Sequence, residues 1–173
     1  MSQPIAQIIS VVIGGFLAIT GGLVTTYYLE KQRRTIESRN LALAFKGEIT
    51  ALIEHIVERN YLNRLTQVID QIESTRQPFY MPLHIRFSYD RVYDQNVARI
   101  GVLKGQLPLQ IPLFYTRLTS VLEDFSNLGD GRYSSLELDI LLRIYRDLHR
   151  IIEAQIGLGN EILQEIDRVY KPK

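Results

Sequence analysis

The residues from Ser2 to Leu29 carry no charged side chain, and this feature constrains the fold of the chain more than any other. The 25 or so residues from Ile5 onward are largely apolar, and as a helix rising about 1.5 Å per residue they would extend roughly 37 Å. The hydrocarbon core of a bilayer is about 30 Å thick. A cleaved signal peptide would have a positive start and a shorter apolar run, and a buried core helix of this length rarely lacks charge on every face. We therefore predict a transmembrane helix in residues 1–29.

Basic residues follow this predicted span within one helical turn, whereas the only charge before it is the amino group of the chain. Cytoplasmic flanks of membrane helices are enriched in Lys and Arg, so we expect the N-terminus outside and residues 30–173 in the cytoplasm. Two tyrosines stand at the boundary, where amphipathic rings commonly lie at the level of the lipid headgroups. The predicted membrane anchor consists of Tyr27, Tyr28, Lys31, Arg33 and Arg34.

Small residues recur at every fourth position of the predicted span and form one narrow stripe along the helix. Such a face allows two helices to approach closely, which matters in lipid because there is little hydrophobic drive for helices to associate. Glycine is also generally more frequent in membrane helices than in soluble ones. The pattern nevertheless predicts that the chain forms a homo-oligomer through this stripe. Its members are Ser10, Gly14, Ala18, Gly22 and Thr26.

The remaining 140 or so residues contain all of the charged side chains, 20 Lys and Arg against 19 Asp and Glu. They are enough for one ordinary domain with its own core. Their near neutrality lacks the basic excess of a dedicated nucleic-acid-binding protein, although binding of nucleic acid stays an open question. The chain has no Cys, which excludes disulfides, thiolate chemistry and Cys-based zinc sites.

Apolar residues spaced by threes and fours indicate an all-α domain of about four antiparallel helices, two of them long. The predicted transmembrane helix continues into the first of these, which runs from about Thr35 to Ser74, where Thr75-Arg76-Gln77-Pro78 ends it. A short helix after Ser88 and a helix from about 107 to 128 follow. Ser134 or Ser135 begins the last helix, which runs to about Tyr170. Gly157 and Gly159 in its interior indicate a kink or a close helix contact.

Motifs that carry chemistry are absent from the sequence: there is no phosphate-binding glycine loop, no HExxH, no GxSxG and no EF-hand loop. The three histidines, His55, His84 and His149, have no other ligand-type residues at metal spacing. A lone His in a helical domain is more often a structural hydrogen-bonding residue. We therefore expect no metal, no cofactor and no enzymatic activity.

One pair of residues resembles a known catalytic signature. The segment from Arg143 to His149 matches the Arg-x4-6-His pattern of HEPN-type ribonucleases, which are helical bundles that dimerise to cleave RNA. In that family a polar residue usually follows the Arg, whereas Ile144 follows it here. Six helical positions amount to about 600°, so the two side chains point about 120° apart and would need a partner subunit to complete a site. Arg143 and His149 are thus only weak catalytic candidates.

The order of features along the chain is similar to that of the small membrane accessory proteins of type VI-B CRISPR systems. The shared features are one N-terminal span, a basic juxtamembrane segment and a helical domain with a degenerate HEPN-like pair. That resemblance implies a membrane pore that assists an RNA-guided nuclease against phage. The stretch from Tyr93 to Leu103, followed by Phe114-Tyr115, also resembles a motif of uncharacterised small bacterial single-pass proteins, which implies the bacterial inner membrane.

Three functions are therefore expected in order of preference. The first is a homo-oligomeric, pore-forming or membrane-perturbing accessory of phage defence, whose partners are its own copies, the lipid bilayer and a cytoplasmic protein such as an RNA-guided nuclease. The second is a membrane-tethered adaptor or scaffold that binds a cytoplasmic partner. The third is a membrane-bound HEPN-like ribonuclease.

Overall fold

The computed structural model describes the backbone of residues 3–80 and 90–171, and the side chains of residues 21–80 and 90–171. Within these ranges the chain is helical and contains no strand, as the sequence predicts. The elements are α1 (Gln3–Glu58), α2 (Tyr61–Thr75), α3 (Arg91–Asn96), a 3-10 helix (Val97–Val102), α4 (Leu107–Gly129) and α5 (Leu138–Val169). The chain divides into two compact units, residues 1–39 and residues 40–173.

The second unit is organised around α4 and α5, which pack against each other in antiparallel directions and contribute to two hydrophobic clusters. The first cluster joins the first half of α4, the second half of α5 and the part of α1 between Leu41 and Leu52. The second cluster joins the other halves of α4 and α5 to the buried face of α2. The expected helical bundle is therefore present, with α1 and α2 covering different halves of one helix pair.

The predicted helix from Thr35 to Ser74 is interrupted, and in this respect the sequence prediction is wrong. α1 ends at Glu58 and α2 begins at Tyr61, because Asn60 between them adopts the left-handed conformation with φ of 55°. Asn enters this conformation more easily than other non-glycine residues, since its short polar side chain can form local hydrogen bonds. Here its Oδ1 accepts a hydrogen bond of 2.7 Å from Asn63 Nδ2.

The later helices lie close to their predicted limits. α4 has Pro108 in its first turn and ends at Gly129, one residue beyond the expected end. The last helix begins at Leu138 rather than at Ser134 or Ser135, because residues 131–136 form turns before it. Residues 81–89, which include the predicted cap Ser88 and also His84, lie outside the described residues.

The two interior glycines of α5 differ in their surroundings, and the helix is continuous through both. A Cβ atom built on Gly159 would lie 2.6 Å from Ile53 Cδ1 and 3.0 Å from Phe114 Cε2. A Cβ atom on Gly157 would have no neighbour within 4 Å. Gly159 therefore marks a close contact of α5 with α1 and α4, and Gly157 marks none.

No helix among the residues whose side chains are described is both long and apolar enough to cross a membrane. The predicted span falls mostly on residues 1–20, whose side chains lie outside that set.

Candidate functional site

The described end of the predicted span, residues 21–29, is exposed along its whole length. Three large apolar side chains are exposed in this segment: Leu23 is 66% exposed, Leu29 61% and Val24 55%. An isolated exposed leucine is ordinary on a protein surface, but contiguous apolar exposure marks contact with a membrane or with another protein. This surface is therefore the first candidate for a functional interface.

Two threonines in this segment satisfy their hydroxyl groups within the helix. Thr25 Oγ1 donates to the Gly21 carbonyl oxygen at 2.8 Å, and Thr26 Oγ1 donates to the Gly22 carbonyl oxygen at 2.9 Å. A hydroxyl group that has an internal acceptor needs no water, so it can enter an apolar environment at reduced cost. The polar residues of this segment are therefore compatible with lipid or with a dry helix interface.

The small-residue stripe is described only in part, since Ser10, Gly14 and Ala18 lie outside the described side chains. Gly22 and Thr26 are one turn apart on α1 and both are exposed. A Cβ atom on Gly22 would have no neighbour within 4 Å. The same holds for Gly21, which lies beside the stripe and provides a matched comparison.

The predicted membrane anchor is fully described. The rings of Tyr27 and Tyr28 are about two-thirds exposed and meet edge to face, with centroids 6.2 Å apart. Lys31, Arg33 and Arg34 are exposed on the following turn of α1. The anchor thus combines adjacent aromatic rings with a basic turn, as membrane-water boundaries commonly do.

An acidic residue lies within this basic turn and is paired inside the helix. Glu30 Oε1 accepts a hydrogen bond of 2.9 Å from Arg34 Nε, one turn later. This hydrogen bond and the charge of the guanidinium group lower the pKa of the Glu30 carboxyl group. Since both side chains are exposed, the pair adds little stability.

The HEPN-like pair lies on α5, with Arg143 exposed and His149 half-buried. The neighbouring arginines form ion pairs: Arg146 contacts Glu73 of α2 at 2.5 Å, and Arg150 contacts Asp147 at 3.0 Å. Arg146 and Arg150 of α5 therefore take part in ordinary surface ion pairs.

A half-buried polar cluster that sequence reasoning missed is centred on Glu48 of α1. Its Oε1 accepts a hydrogen bond of 2.7 Å from the backbone N–H of Val92, and its Oε2 accepts one of 3.3 Å from that of Tyr93. The Tyr115 hydroxyl group donates to Oε2 as well. Glu48 thus caps the first turn of α3 from a different helix.

Aromatic stacking completes this cluster. The rings of Tyr93 and Tyr115 stack with centroids 4.3 Å apart and an interplanar angle of 16°. Burial and the hydrogen bond to Glu48 raise the pKa of the Tyr115 hydroxyl group far above its ordinary value of 10.0. These contacts hold α1, α3 and α4 together, and a structural role accounts for them.

The position of Glu48 in the sequence indicates that its carboxylate needs hydrogen-bond partners. It lies three residues after Phe45 and four before Leu52, so it falls on the buried face of α1. A carboxylate on an apolar face requires hydrogen-bond partners. Its partners come from residues 92–115, which sequence spacing alone does not identify.

Among residues 21–80 and 90–171, no group of three or more acidic or histidine side chains is arranged to hold a metal ion. No protein-family model matches the chain, and comparisons with curated proteins and with solved structures likewise find no similar protein.

Proposed function

We propose that this chain is a single-pass membrane protein of the bacterial inner membrane that self-associates through its N-terminal helix. The observation that supports this most directly is the exposed apolar surface of residues 21–29, which continues the charge-free sequence before it. Burying a leucine or a similar side chain is worth about 1.5–3 kcal/mol, so leaving several of them in water would be costly. A lipid bilayer covers such a surface on all sides.

The basic turn after Leu29 supports the orientation of this proposal. Lys31, Arg33 and Arg34 outnumber Glu30, and Glu30 is itself paired with Arg34. A net positive flank is typical of the cytoplasmic side. This flank supports a cytoplasmic location for residues 30–173.

The proposed partner within the membrane is a second copy of the same helix. Gly22 and Thr26 place two small residues one turn apart on α1, and the Thr26 hydroxyl group is already satisfied inside the helix. Helix association in lipid depends on close van der Waals packing at such faces. The sequence extends the same face to Ser10 through Gly14 and Ala18.

We further propose that the assembled spans perturb or perforate the membrane as an accessory of phage defence, without enzymatic activity. The support for this role is the resemblance to the accessory proteins of type VI-B CRISPR systems. An RNA-guided nuclease is the cytoplasmic partner that this resemblance implies.

The first test compares Gly22→Leu with Gly21→Leu in the full-length protein. Both glycines are exposed and open, but only Gly22 lies on the stripe. We expect a discrete oligomer for the unaltered chain and for Gly21→Leu by light scattering in detergent, and a smaller species for Gly22→Leu with unchanged helicity. Equal masses for the two variants would contradict association through the stripe.

Replacement of residues 1–29 by an unrelated monomeric transmembrane helix distinguishes the pore proposal from the adaptor proposal. The pore proposal requires that this chimera fails to release a dye from vesicles that the natural chain permeabilises. Retained protection against phage by the chimera would instead assign the span to anchoring alone.

The ribonuclease alternative has its own test. Under the present proposal the purified natural chain leaves RNA intact, and so do the Arg143→Ala and His149→Ala variants. RNA cleavage by the natural chain that either substitution abolishes would establish the alternative.

A further inference from the structure

Three segments of the second unit meet at the end of the bundle where its chain begins. Lys46 Nζ of α1 contacts Asp167 Oδ1 of α5 at 2.5 Å. The backbone N–H of Lys104, in the loop before α4, donates to the Tyr170 hydroxyl group at 3.0 Å. The start of this unit, the loop before α4 and the end of α5 therefore lie together.

The first two turns of α4 expose large apolar side chains at this end. Leu109 is 72% exposed, more than any other large apolar side chain among the described residues, and Leu113 is 43% exposed. Residues four apart on a helix are neighbours on its surface. Leu107 and Ile111, on the other side of the helix, are fully buried in the first cluster. α4 therefore packs one apolar face into the core and presents a second one to the solvent.

The charged side chains near these leucines are positive. Residues 97–113 contain Arg99 and Lys104 and no acidic residue. The Lys104 ammonium group lies 6.0 Å from the centre of the Tyr170 ring, which holds it beside the end of α5. Lys171 follows directly and is exposed. Two exposed lysines thus lie at the same end of the bundle as the exposed leucines.

The acidic side chains at the end of α5 do not cancel this positive charge, because each is paired. Glu165 Oε2 contacts Arg168 at 2.7 Å, and Asp167 contacts Lys46. Each of these pairs is neutral as a whole. The charges of Lys104 and Lys171 therefore remain as the net charge of this surface.

A bilayer that contains anionic lipids fits both the apolar and the charged part of this surface. Apolar side chains enter the headgroup region of such a bilayer, and lysines next to them are attracted to its negative surface. A second copy of the same surface would bring the same positive charge and would be repelled. Ten residues, 30–39, separate this unit from the predicted span, and even fully extended they cover only about 35 Å. In the proposed membrane protein the chain itself therefore keeps a bilayer within reach.

We propose that this end of the bundle, defined by Lys104, Leu109, Leu113 and Lys171, binds the surface of an anionic lipid bilayer. It forms a second membrane contact besides the predicted span. The two leucines enter the headgroup region, and the two lysines contact lipid phosphate groups. The proposal rests on the proposed function only for the nearness of the bilayer, since the surface itself belongs to the second unit.

The test uses tryptophan as a reporter, because the natural chain contains none. Full-length Leu109→Trp is reconstituted into vesicles of equimolar phosphatidylcholine and phosphatidylglycerol, with or without bromine on the acyl chains near the headgroups. Bromine quenches tryptophan fluorescence on contact. Val57→Trp is the matched control, since Val57 is also exposed, at 59%, but lies about 24 Å along α1 from Leu41. Leu23→Trp reports separately on insertion of the span.

We expect bromine to quench Leu109→Trp at least about twofold more strongly than Val57→Trp, because only the former enters the bilayer surface. Adding Lys104→Glu and Lys171→Glu together should remove most of the quenching of Leu109→Trp. The matched charge control is Arg59→Glu with Arg64→Glu, near the turn between α1 and α2. It changes the net charge equally and should leave the quenching of Leu109→Trp intact.

The outcomes separate this inference from the proposed function. Quenching of Leu23→Trp with no more quenching of Leu109→Trp than of Val57→Trp would overturn the inference and support the span. Quenching of Leu109→Trp without Leu23→Trp would support the surface contact and contradict the span. Quenching of neither Leu23→Trp nor Leu109→Trp would overturn both.

Two further results would also overturn the inference. A blue-shifted but unquenched emission of Leu109→Trp would assign the surface to contact with protein instead of lipid. Quenching that the two lysine substitutions leave unchanged would show that anionic lipid is not recognised.

Discussion

Glu48 shows how a single charged residue can organise the packing of three helices. Its carboxylate is half-buried and receives two backbone N–H groups of α3 and the hydroxyl group of Tyr115. Each of these donors would otherwise be left unsatisfied on removal from water. The cluster therefore specifies where α3 docks, and the apolar residues around it supply most of the burial.

The raised pKa of Tyr115 predicts a loss of stability at alkaline pH. The unfolded chain releases this proton near pH 10, whereas the folded chain retains it to higher pH. Above about pH 10 the unfolded state therefore binds fewer protons, and the free energy of unfolding falls by about 1.4 kcal/mol per pH unit from this group. Below pH 10 the contribution is fully present.

Tyr115→Phe isolates this effect from the other tyrosines. The free-energy difference between the natural chain and Tyr115→Phe, measured by denaturant unfolding, should be constant from pH 7 to 9. Between pH 10 and 11 it should move in favour of the variant. If the free-energy difference does not change across pH 10, the raised pKa of the Tyr115 hydroxyl group is contradicted.

At the scale of helices, the sequence predicts the ends that proline and glycine mark. α4 lies within one residue of its expected limits because Pro108 and the turn at Gly129-Asp130-Gly131 leave few alternatives. The break at Asn60 was missed because apolar spacing continues from α1 into α2 across it. Only packing against two different halves of the α4–α5 pair requires the chain to turn there.

The two glycines of α5 predict opposite effects of one substitution. Gly157→Ala should stabilise the protein by up to about 1 kcal/mol, since alanine is the better helix former and its methyl group meets no neighbour. Gly159→Ala should destabilise it, because the methyl group would overlap Ile53 and contact Phe114. The natural chain, Gly157→Ala and Gly159→Ala can be compared by thermal unfolding.

A second substitution tests the cause of the stability loss expected for Gly159→Ala. Ile53→Val removes the methyl group that lies nearest to the added Cβ atom, so it should recover part of the loss in the double variant. If Gly159→Ala proves as stable as Gly157→Ala, this result contradicts the close contact of Gly159 with α1 and α4.

For the whole molecule, the composition and periodicity predict an all-α bundle, and they do not reveal that its core has two parts. Phe45 and Leu65 illustrate the difference: both are fully buried, but Phe45 lies in the first cluster and Leu65 in the second. The membrane role, by contrast, comes from the first 29 residues of sequence and stays a prediction.

We expect the two clusters to unfold together, because α4 and α5 run through both. Phe45→Ala and Leu65→Ala should each cost about 2–5 kcal/mol through the cavities they leave. Each variant should nevertheless show one cooperative transition for all helices by circular dichroism. Two separate transitions in either variant would indicate clusters that fold independently.

The left-handed turn at Asn60 gives the bundle an unequal response to mechanical load. α1 contributes Leu41, Phe45 and Ile49 to the first cluster, whereas α2, beyond the turn, packs in the second. A pulling force applied along the axis of α1 therefore acts on the first cluster before it reaches α2. We therefore expect the first cluster to open before the second under such a force, because the turn at Asn60 separates α2 from the pulled helix.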